Sequence, residues 1–210
     1  MIRAVFELIL GKYGNAQIKI KGLRQAKRLA KENYPLKLNL GCGAYRIKDF
    51  VGVDMCSQAD LRWDLQWGLP FKDESVLEIR SNHCFEHLGL ADLITLLKEC
   101  KRVLVKGGIL DFSVPHINPY LSAYLKNDVK FLSEKIYDIP EEKRHLYSTS
   151  FDKLSWLLLR DGEHKSIFDK EAILEKVKFA GFSNVSVREY DVSRDGDYRY
   201  SSVYVMAKKE

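Results

Sequence analysis

The stretch LKLNLGCG at residues 36–43 is a short, mostly apolar strand that runs directly into a Gly-x-Gly turn. Because glycine has no Cβ atom, the backbone of such a turn can pass close to a bound ligand. A second short strand, at residues 50–53, ends at Asp54. An acidic residue in that place can accept hydrogen bonds from the hydroxyl groups of a ribose. Alone, the turn fits any tight connection and Asp54 fits a capping residue, but together they indicate a nucleoside-binding α/β domain.

Strands and helices alternate along the rest of the chain. Further strands are predicted at residues 61–65, 76–80, 109–114, 185–190 and 201–207, and helices at residues 90–104 and 169–180. We expect the first of these helices to end at the turn formed by residues 106–108. The alternation predicts an α/β fold with a doubly wound, mostly parallel sheet. Ligands of such sheets bind beyond the carboxyl ends of the strands, where four of the residues of interest fall: Gly41, Asp54, Asp64 and His83.

The first 35 residues form a basic segment. Two helices are predicted there, at residues 2–13 and 17–33. From Met1 to Lys37, nine Lys or Arg residues stand against two acidic ones, whereas the whole chain of 210 residues carries a net charge of +5. We therefore interpret residues 1–35 as a basic helical extension and residues 36–210 as one domain. A solvated helix face is the simplest explanation of this charge, and contact with nucleic-acid phosphates or with an anionic membrane surface is the alternative.

Composition excludes several classes of protein. Hydrophobic residues make up 46% of the chain and charged residues 30%, which is typical of a globular protein. The sequence contains no apolar run of the roughly 18 residues that a membrane span needs, and no secretory signal is predicted. The four cysteines form no C-x-x-C pair and have no zinc-ligand spacing with histidine. We expect reduced thiols in a cytoplasmic protein, and no metal site.

Several motifs together resemble the class I S-adenosylmethionine-dependent methyltransferases. They are LNLGCG at residues 38–43, FVGVD at 50–54, DL at 64–65, LPFKDES at 69–75, HCFEHL at 83–88 and ECKRVLVKGG at 99–108. The similarity is greatest to a small bacterial and archaeal branch of predicted methyltransferases, often associated with cell-surface glycan synthesis. It covers residues 36–116 and, more weakly, residues 180–182 and the last two strands.

This resemblance implies a fold, a cofactor and a set of binding residues. The fold is a Rossmann-like, seven-stranded sheet with an antiparallel last strand, and the cofactor is S-adenosylmethionine. The glycine turn of Gly41, Cys42 and Gly43 lies against the methionine part of the cofactor. Asp54 binds the ribose, and Asp64 with Leu65 binds the adenine. Asn82 and His83 border the sulfonium. Asp64 also fits a solvated loop carboxylate, and His83 also fits a helix-capping histidine.

The chain departs from the family pattern between the first two strands. Only seven residues separate Gly43 from Val51, whereas a crossover between parallel strands normally takes a dozen or more. Either a tight loop replaces the usual helix, or the second strand starts later than residue 50. This short connection weakens the expectation that a helix dipole holds the carboxylate of the methionine.

A catalytic base is needed only if the acceptor is a protonated hydroxyl or amine. The candidates are four histidines, His83, His87, His116 and His164. We prefer His116, because it directly follows the fifth strand, with His83 as the second choice. Tyr120 is a candidate for positioning the substrate, in an irregular segment, residues 117–165, that is long enough to cover the substrate. The aromatic residues of this segment are expected to form a small core of their own.

The sequence thus predicts methyl transfer to an oxygen or nitrogen of a small-molecule or sugar acceptor. INPY at residues 117–120 looks like a signature of nucleic-acid amino methyltransferases, but that signature belongs after the fourth strand and here it follows the fifth. A nucleic-acid acceptor is therefore disfavoured. A nucleic-acid methyltransferase that uses the basic extension, a non-catalytic domain that keeps the fold, and an aminopropyl transferase are the alternatives.

Overall fold

The computed structural model describes residues 2–32, 35–135, 139–195 and 201–210, with side chains from residue 15 onward. Seven strands form one sheet: β1 (Leu36–Leu40), β2 (Val51–Asp54), β3 (Leu61–Arg62), β4 (Val76–Asn82), β5 (Leu104–Pro115), β6 (Asn184–Arg188) and β7 (Ser202–Lys208). Within these described ranges, seven α-helices accompany the strands: α1 (Ile2–Glu32), α2 (Leu90–Val103), α3 (Asn118–Leu125), α4 (Val129–Lys135), α5 (Ser150–Leu159), α6 (Lys170–Phe179) and α7 (Val192–Asp195).

The strand order is β3-β2-β1-β4-β5-β7-β6, and the first five strands in this order pair in parallel. Only β7 runs antiparallel to its neighbours β5 and β6. The predicted Rossmann-like, seven-stranded sheet with an antiparallel last strand is confirmed. None of the described helices is long and apolar enough to cross a membrane.

The main hydrophobic core lies between the sheet and the helices α2 and α6. Helix α2 places Leu93, Leu96, Leu97 and Cys100 at the spacing of one helical face, and all four are buried. Since side chains alternate between the two faces of a strand, residues next to the core-facing ones point to the other face of the sheet. That second face is polar and is centred on the buried Asp111, which accepts hydrogen bonds from Arg188.

The N-terminal segment is one helix, α1, and the prediction of two helices was wrong. Gly14 and Asn15 lie between the two predicted ranges, but each glycine within a helix costs only about 1 kcal/mol and is tolerated. The buried Ala26 and Leu29 of this helix belong to the same hydrophobic cluster as Trp63, which follows β3. Residues 33 and 34, where the second helix was expected to end, lie outside the described residues.

The predicted turn at residues 106–108 is part of β5, so its interpretation as a helix stop was also wrong. Helix α2 ends at Val103 and β5 begins at the next residue. The register between β4 and β5 shifts there, because Val76 pairs with Leu104 whereas Glu78 pairs with Ile109. The extra residues of β5 form a bulge. This bulge contains Gly107 and Gly108, and the strand continues through it.

A tight loop replaces the crossover helix between β1 and β2. Residues 41–50, all of which are described, contain turns and no helix, and β2 begins at Val51, one residue later than predicted. Backbone hydrogen bonds from Tyr45 to Cys42 and from Phe50 to Ile47 close this loop.

The segment at residues 117–165 is mostly helical, contrary to the expectation of an irregular segment. It contains α3, α4 and α5, which contact one another. Their buried residues form a second hydrophobic cluster, separate from the main core: Tyr120, Ala123, Leu132, Leu154 and Leu157. Tyr124 and Phe131 pack against this cluster, which confirms the expected small core. Another aromatic residue of the segment, Tyr137, lies outside the described residues.

Candidate cofactor site and active site

The candidate residues follow the carboxyl ends of neighbouring strands. Gly41 directly follows β1, Asp54 is the last residue of β2, and Asp64 comes two residues after β3. His83 directly follows β4 and His116 directly follows β5. Because these five strands are parallel, the five residues lie along one edge of the sheet. The residues therefore lie at the carboxyl ends of the strands, as expected, while the site itself and the role of each residue stay a prediction.

Gly41 is fixed by close packing against the segment that follows β4. Its backbone is left-handed, with φ of 65°. A Cβ atom at this position would lie 2.3 Å from Cys84 Sγ and 2.4 Å from Cys84 Cβ. The backbone N–H of Gly41 donates to the carbonyl of Val53 at 2.9 Å, which joins the loop to β2. Only glycine fits here without displacing Cys84.

Gly43 and Asp54 form one hydrogen-bonded unit beside open space. The backbone N–H of Gly43 donates to Asp54 Oδ2 at 2.9 Å, and the N–H of Cys56 donates to Asp54 Oδ1 at 2.9 Å. Gly43 is also left-handed, with φ of 52°, but a Cβ atom here would meet no atom within 4 Å. A carboxylate offers about four lone-pair sites, so two remain for a ligand. The arrangement fits a ligand with two hydroxyl groups, such as the ribose of S-adenosylmethionine.

Cys42 lies between these two glycines and is buried. Burial, with a smaller contribution from the negative charge of Asp54, raises the pKa of the Cys42 thiol to about 11. The thiol is therefore protonated at neutral pH and donates to the carbonyl of Gly43 at 3.3 Å. It acts as a packing residue of the loop and not as a thiolate.

Asp64 and Leu65 begin a short 3-10 helix, Leu65–Trp67. Asp64 caps this helix, since its Oδ1 accepts from the N–H of Gln66 at 2.9 Å. Among the residues that the structure describes, Asp64 Oδ2 has no hydrogen-bond partner, so it stays available for a ligand. Leu65 is buried in the core and can offer only its backbone.

Asn82 and His83 are both held by neighbouring protein groups. Asn82 donates to the carbonyl of Asp195 at 2.6 Å and accepts from the hydroxyl of Ser113. His83 has a left-handed backbone, and its Nε2 lies 2.8 Å from Ser202 Oγ. Its Nδ1 lies 3.4 Å from a carboxylate oxygen of Glu86. Both side chains are therefore held in place by neighbouring protein groups.

His116 differs from His83 in its hydrogen bonding. Its Nε2 is buried and has no hydrogen-bond partner among the described residues. Burial is the main cause that lowers the pKa of His116, so the imidazole is neutral at neutral pH. Together with Tyr120 and His164 it lines a cavity of about 10 Å³ between the end of β5 and helix α5. A neutral imidazole with an unpartnered nitrogen suits a base.

His87 and His164 lie together, although 77 positions separate them in the sequence. Their rings are 5.1 Å apart between centroids and meet edge to face. The carboxylate of Glu86, which is 1% exposed, lies beside them. We did not single out Glu86 from the sequence, because its only signal was its place next to His87. Tyr120, the candidate positioning residue, is buried in the helical cluster of residues 117–165.

Comparisons with known proteins agree with this geometry. The family model of the methyltransferase domain matches residues 38–112, from β1 into β5. No curated protein sequence matches the chain.

Many solved structures share the fold, among them the following three. A SAM-dependent methyltransferase from Archaeoglobus fulgidus has 12% identity and a TM-score of 0.53, with coverage of 91% of this chain and 94% of the other. A possible exported protein from Bordetella parapertussis has 16% identity and a TM-score of 0.51, with coverage of 90% and 67%. A SAM-dependent methyltransferase from Methanosarcina mazei has 18% identity and a TM-score of 0.50, with coverage of 82% and 92%. At these identities, the likeness shows the fold alone.

Proposed function

We propose that this chain, a class I S-adenosylmethionine-dependent methyltransferase, transfers the methyl group to an oxygen or nitrogen of a small-molecule or sugar acceptor. The observation that carries the proposal is the unit formed by Gly43 and Asp54 at the carboxyl edge of the sheet. Its carboxylate has spare lone pairs and faces a glycine with open space around it. An acceptor from cell-surface glycan synthesis would agree with the resemblance of the sequence.

The chain's own residues bind and orient the reactants. S-adenosylmethionine, when bound, supplies the methyl group as a sulfonium that loses its positive charge on transfer. Asp54 would hold the ribose, and Asp64 with the backbone of Leu65 would hold the adenine. The loop of Gly41, Cys42 and Gly43 would lie against the methionine part, and Asn82 and His83 would border the sulfonium. Orientation of this kind can supply roughly 7–11 kcal/mol of the barrier reduction.

His116 is the residue we propose as the base for a protonated acceptor, with His83 as second choice. Its unpartnered Nε2 and its lowered pKa both favour a neutral imidazole that takes up a proton from the acceptor. The helices α3, α4 and α5 continue the chain directly after His116. We propose that they cover the acceptor and exclude water, as the length of the segment suggests.

A neutral or cationic acceptor suits the charge of this edge. The side chains at the ends of the strands are two carboxylates, an amide and two imidazoles: Asp54, Asp64, Asn82, His83 and His116. A nucleic-acid acceptor would bring phosphates towards the two carboxylates, which repel them. The exposed basic residues of α1 include Lys21, Arg24 and Lys27. Helix α1 contacts β3, which is the outermost strand on one side of the sheet.

The first experiment measures the binding of S-adenosylmethionine and S-adenosylhomocysteine by calorimetry. A hydrogen bond to a charged group contributes about 1.5–3 kcal/mol, so Asp54→Ala should weaken binding roughly ten- to hundredfold. Asp60→Ala is the matched control, because Asp60 accepts from the backbone N–H of Gly52 at 2.8 Å and pairs with Arg46. The control should leave the affinity unchanged, and an equal loss in both variants would refute the ribose role of Asp54.

The second experiment follows the release of S-adenosylhomocysteine with a panel of sugars, small amines and RNA. Turnover with a sugar or amine, lowered about 10²- to 10⁴-fold by His116→Phe with cofactor affinity retained, is the expected result. Turnover with RNA alone, weakened steeply by salt, would replace the proposal by a nucleic-acid methyltransferase. Cofactor binding without turnover on any acceptor would indicate a non-catalytic domain.

A further inference from the structure

We propose that Glu86, His87 and His164 form a binding site for one divalent transition-metal ion of the zinc class. The atoms that these side chains offer as ligands all lie within 4.8 Å of one another. The proposal goes beyond the methyl transfer proposed above and does not depend on it. It also replaces our expectation from the sequence that the chain has no metal site.

The carboxylate of Glu86 is the first argument. The residue is 1% exposed, and both of its carboxylate oxygens are buried without a hydrogen-bond partner among the described residues. A buried charge without compensation costs several kcal/mol, so such groups are normally paired or coordinate a metal. The ring of His83 also lies near this carboxylate, with Nδ1 3.4 Å from Oε1, and this contact is an ion pair only if His83 is protonated.

The tautomers of the two histidines are the second argument. His87 Nδ1 lies 3.0 Å from the carbonyl of Glu163, and His164 Nδ1 lies 2.9 Å from the carbonyl of Leu158. A carbonyl oxygen only accepts, so in both rings Nδ1 carries the hydrogen. In the neutral ring Nε2 therefore has a free lone pair, which is the form that binds metals. A backbone carbonyl on the second nitrogen is the usual support of a metal-binding histidine.

The backbone around the cluster is the third argument. The N–H groups of Lys165 and Ser166 both donate to the carbonyl of Glu86, at 2.8 and 3.0 Å. The hydroxyl of Ser166 donates to the carbonyl of Leu88 at 2.7 Å. These bonds hold the segment after β4 against the end of the helical segment, so the ligands are already assembled. A bound ion would fasten the two segments further.

Two imidazole nitrogens and one carboxylate oxygen determine the class of metal. This set suits zinc and its neighbours, whereas calcium and magnesium prefer oxygen ligands. A tetrahedral ion with bonds of about 2.1 Å needs ligand atoms about 3.4 Å apart, so the side chains would have to approach one another by up to about 1.4 Å. Three protein ligands leave a fourth position open for water or for an acceptor atom.

The test is a titration of the full-length chain, freed of metal with a chelator, with Zn²⁺ and with Co²⁺. We expect one equivalent of either ion to bind, Co²⁺ to give the strong visible absorption of a four- or five-coordinate site, and Zn²⁺ to raise Tm. Loss of a residue that only supports a metal ligand typically weakens metal binding by a factor of roughly 10 to 100. Glu86→Gln and His164→Ala each remove a ligand, so each should weaken Zn²⁺ binding by at least that factor. His145→Ala is the control, because His145 is exposed and outside the cluster.

Three results would overturn the proposal. One is wild-type protein, shown by circular dichroism to be folded, that binds no Zn²⁺ and no Co²⁺. Another is an affinity that Glu86→Gln and His164→Ala leave unchanged, which would put the ion elsewhere. The third is Glu86→Gln protein that is more stable than the wild type and binds Zn²⁺ equally well, in which case the histidines only neutralise a buried carboxylate. None of these results depends on methyl transfer.

Discussion

Two substitutions in the loop after β1 should separate an effect on folding from an effect on cofactor binding. Gly41 and Gly43 are both left-handed, but their surroundings differ. A Cβ atom on Gly41 would overlap Cys84, whereas a Cβ atom on Gly43 would meet no protein atom within 4 Å. We therefore predict that Gly41→Ala mainly destabilises the fold and that Gly43→Ala mainly weakens cofactor binding.

The magnitudes follow from these contacts. A left-handed backbone costs a residue other than glycine roughly 1–2 kcal/mol, and this cost applies to both variants. Insertion of a methyl group into a packed region adds roughly 1–3 kcal/mol, and this cost applies to Gly41→Ala alone. Replacement of glycine by alanine also lowers the entropy of the unfolded chain, which offsets about 0.4–1 kcal/mol of the lost stability in both variants. The expected loss is thus about 3 kcal/mol for Gly41→Ala and about 1 kcal/mol for Gly43→Ala.

Urea denaturation gives the free energy of unfolding, and calorimetry gives the affinity for S-adenosylhomocysteine. For a chain of this size, a loss of 3 kcal/mol corresponds to a decrease in Tm of roughly 6–12 °C. Cys84→Gly in the Gly41→Ala background should restore part of the stability, with a coupling free energy of at least about 1 kcal/mol. Equal stability of Gly41→Ala and Gly43→Ala would refute the close approach of Cys84. Unchanged affinity of Gly43→Ala would refute a cofactor beside Gly43.

Two other predictions concern charged groups. Arg188 pairs with the buried Asp111 at 2.7 Å and with Asp195 at 2.5 Å, so Arg188→Met should lower the free energy of unfolding by about 3 kcal/mol at pH 7. The loss should be smaller for Arg194→Met, since that side chain is more exposed than Arg188. Equal losses of the two variants in urea denaturation would contradict this account. Burial lowers the pKa of His116 below its ordinary 6.5, so as the pH falls through 6.5 the unfolded chain binds the proton first and stability is lost. His116→Phe should therefore show a shallower decrease in stability between pH 7.5 and 5.5, and equal slopes would mean that burial does not affect this histidine.

The sequence predicted the strands well because their signals are local. A strand of five residues shows its apolar pattern within those residues, and β1 was located without error. The boundaries that were missed depend on neighbouring strands. The bulge at residues 105–108 exists because β5 must pair with β4, and α1 continues past residue 14 without a local signal that distinguishes one helix from two.

The places of the candidate residues along the sheet were predicted to the same degree, whereas their roles stay predictions. Gly41, Asp54 and His83 could be placed at one edge because parallel strands end together. Their partners could not be predicted, since contacts such as that of Asn82 with Asp195 join residues 113 positions apart. The preference for His116 over His83 rested on strand order alone, and only the structure showed that their hydrogen bonding differs.

The sequence by itself determined the order of the strands, the glycine loop and the acidic residue at the end of β2, because these depend on neighbours along the chain. The tertiary structure alone decided that Cys84 packs on Gly41 and that Glu86 lies buried beside His87 and His164. The physical reason is that burial and side-chain contact are properties of segments folded against each other. The sequence contains all these residues, but no period or spacing within it brings position 86 to position 164.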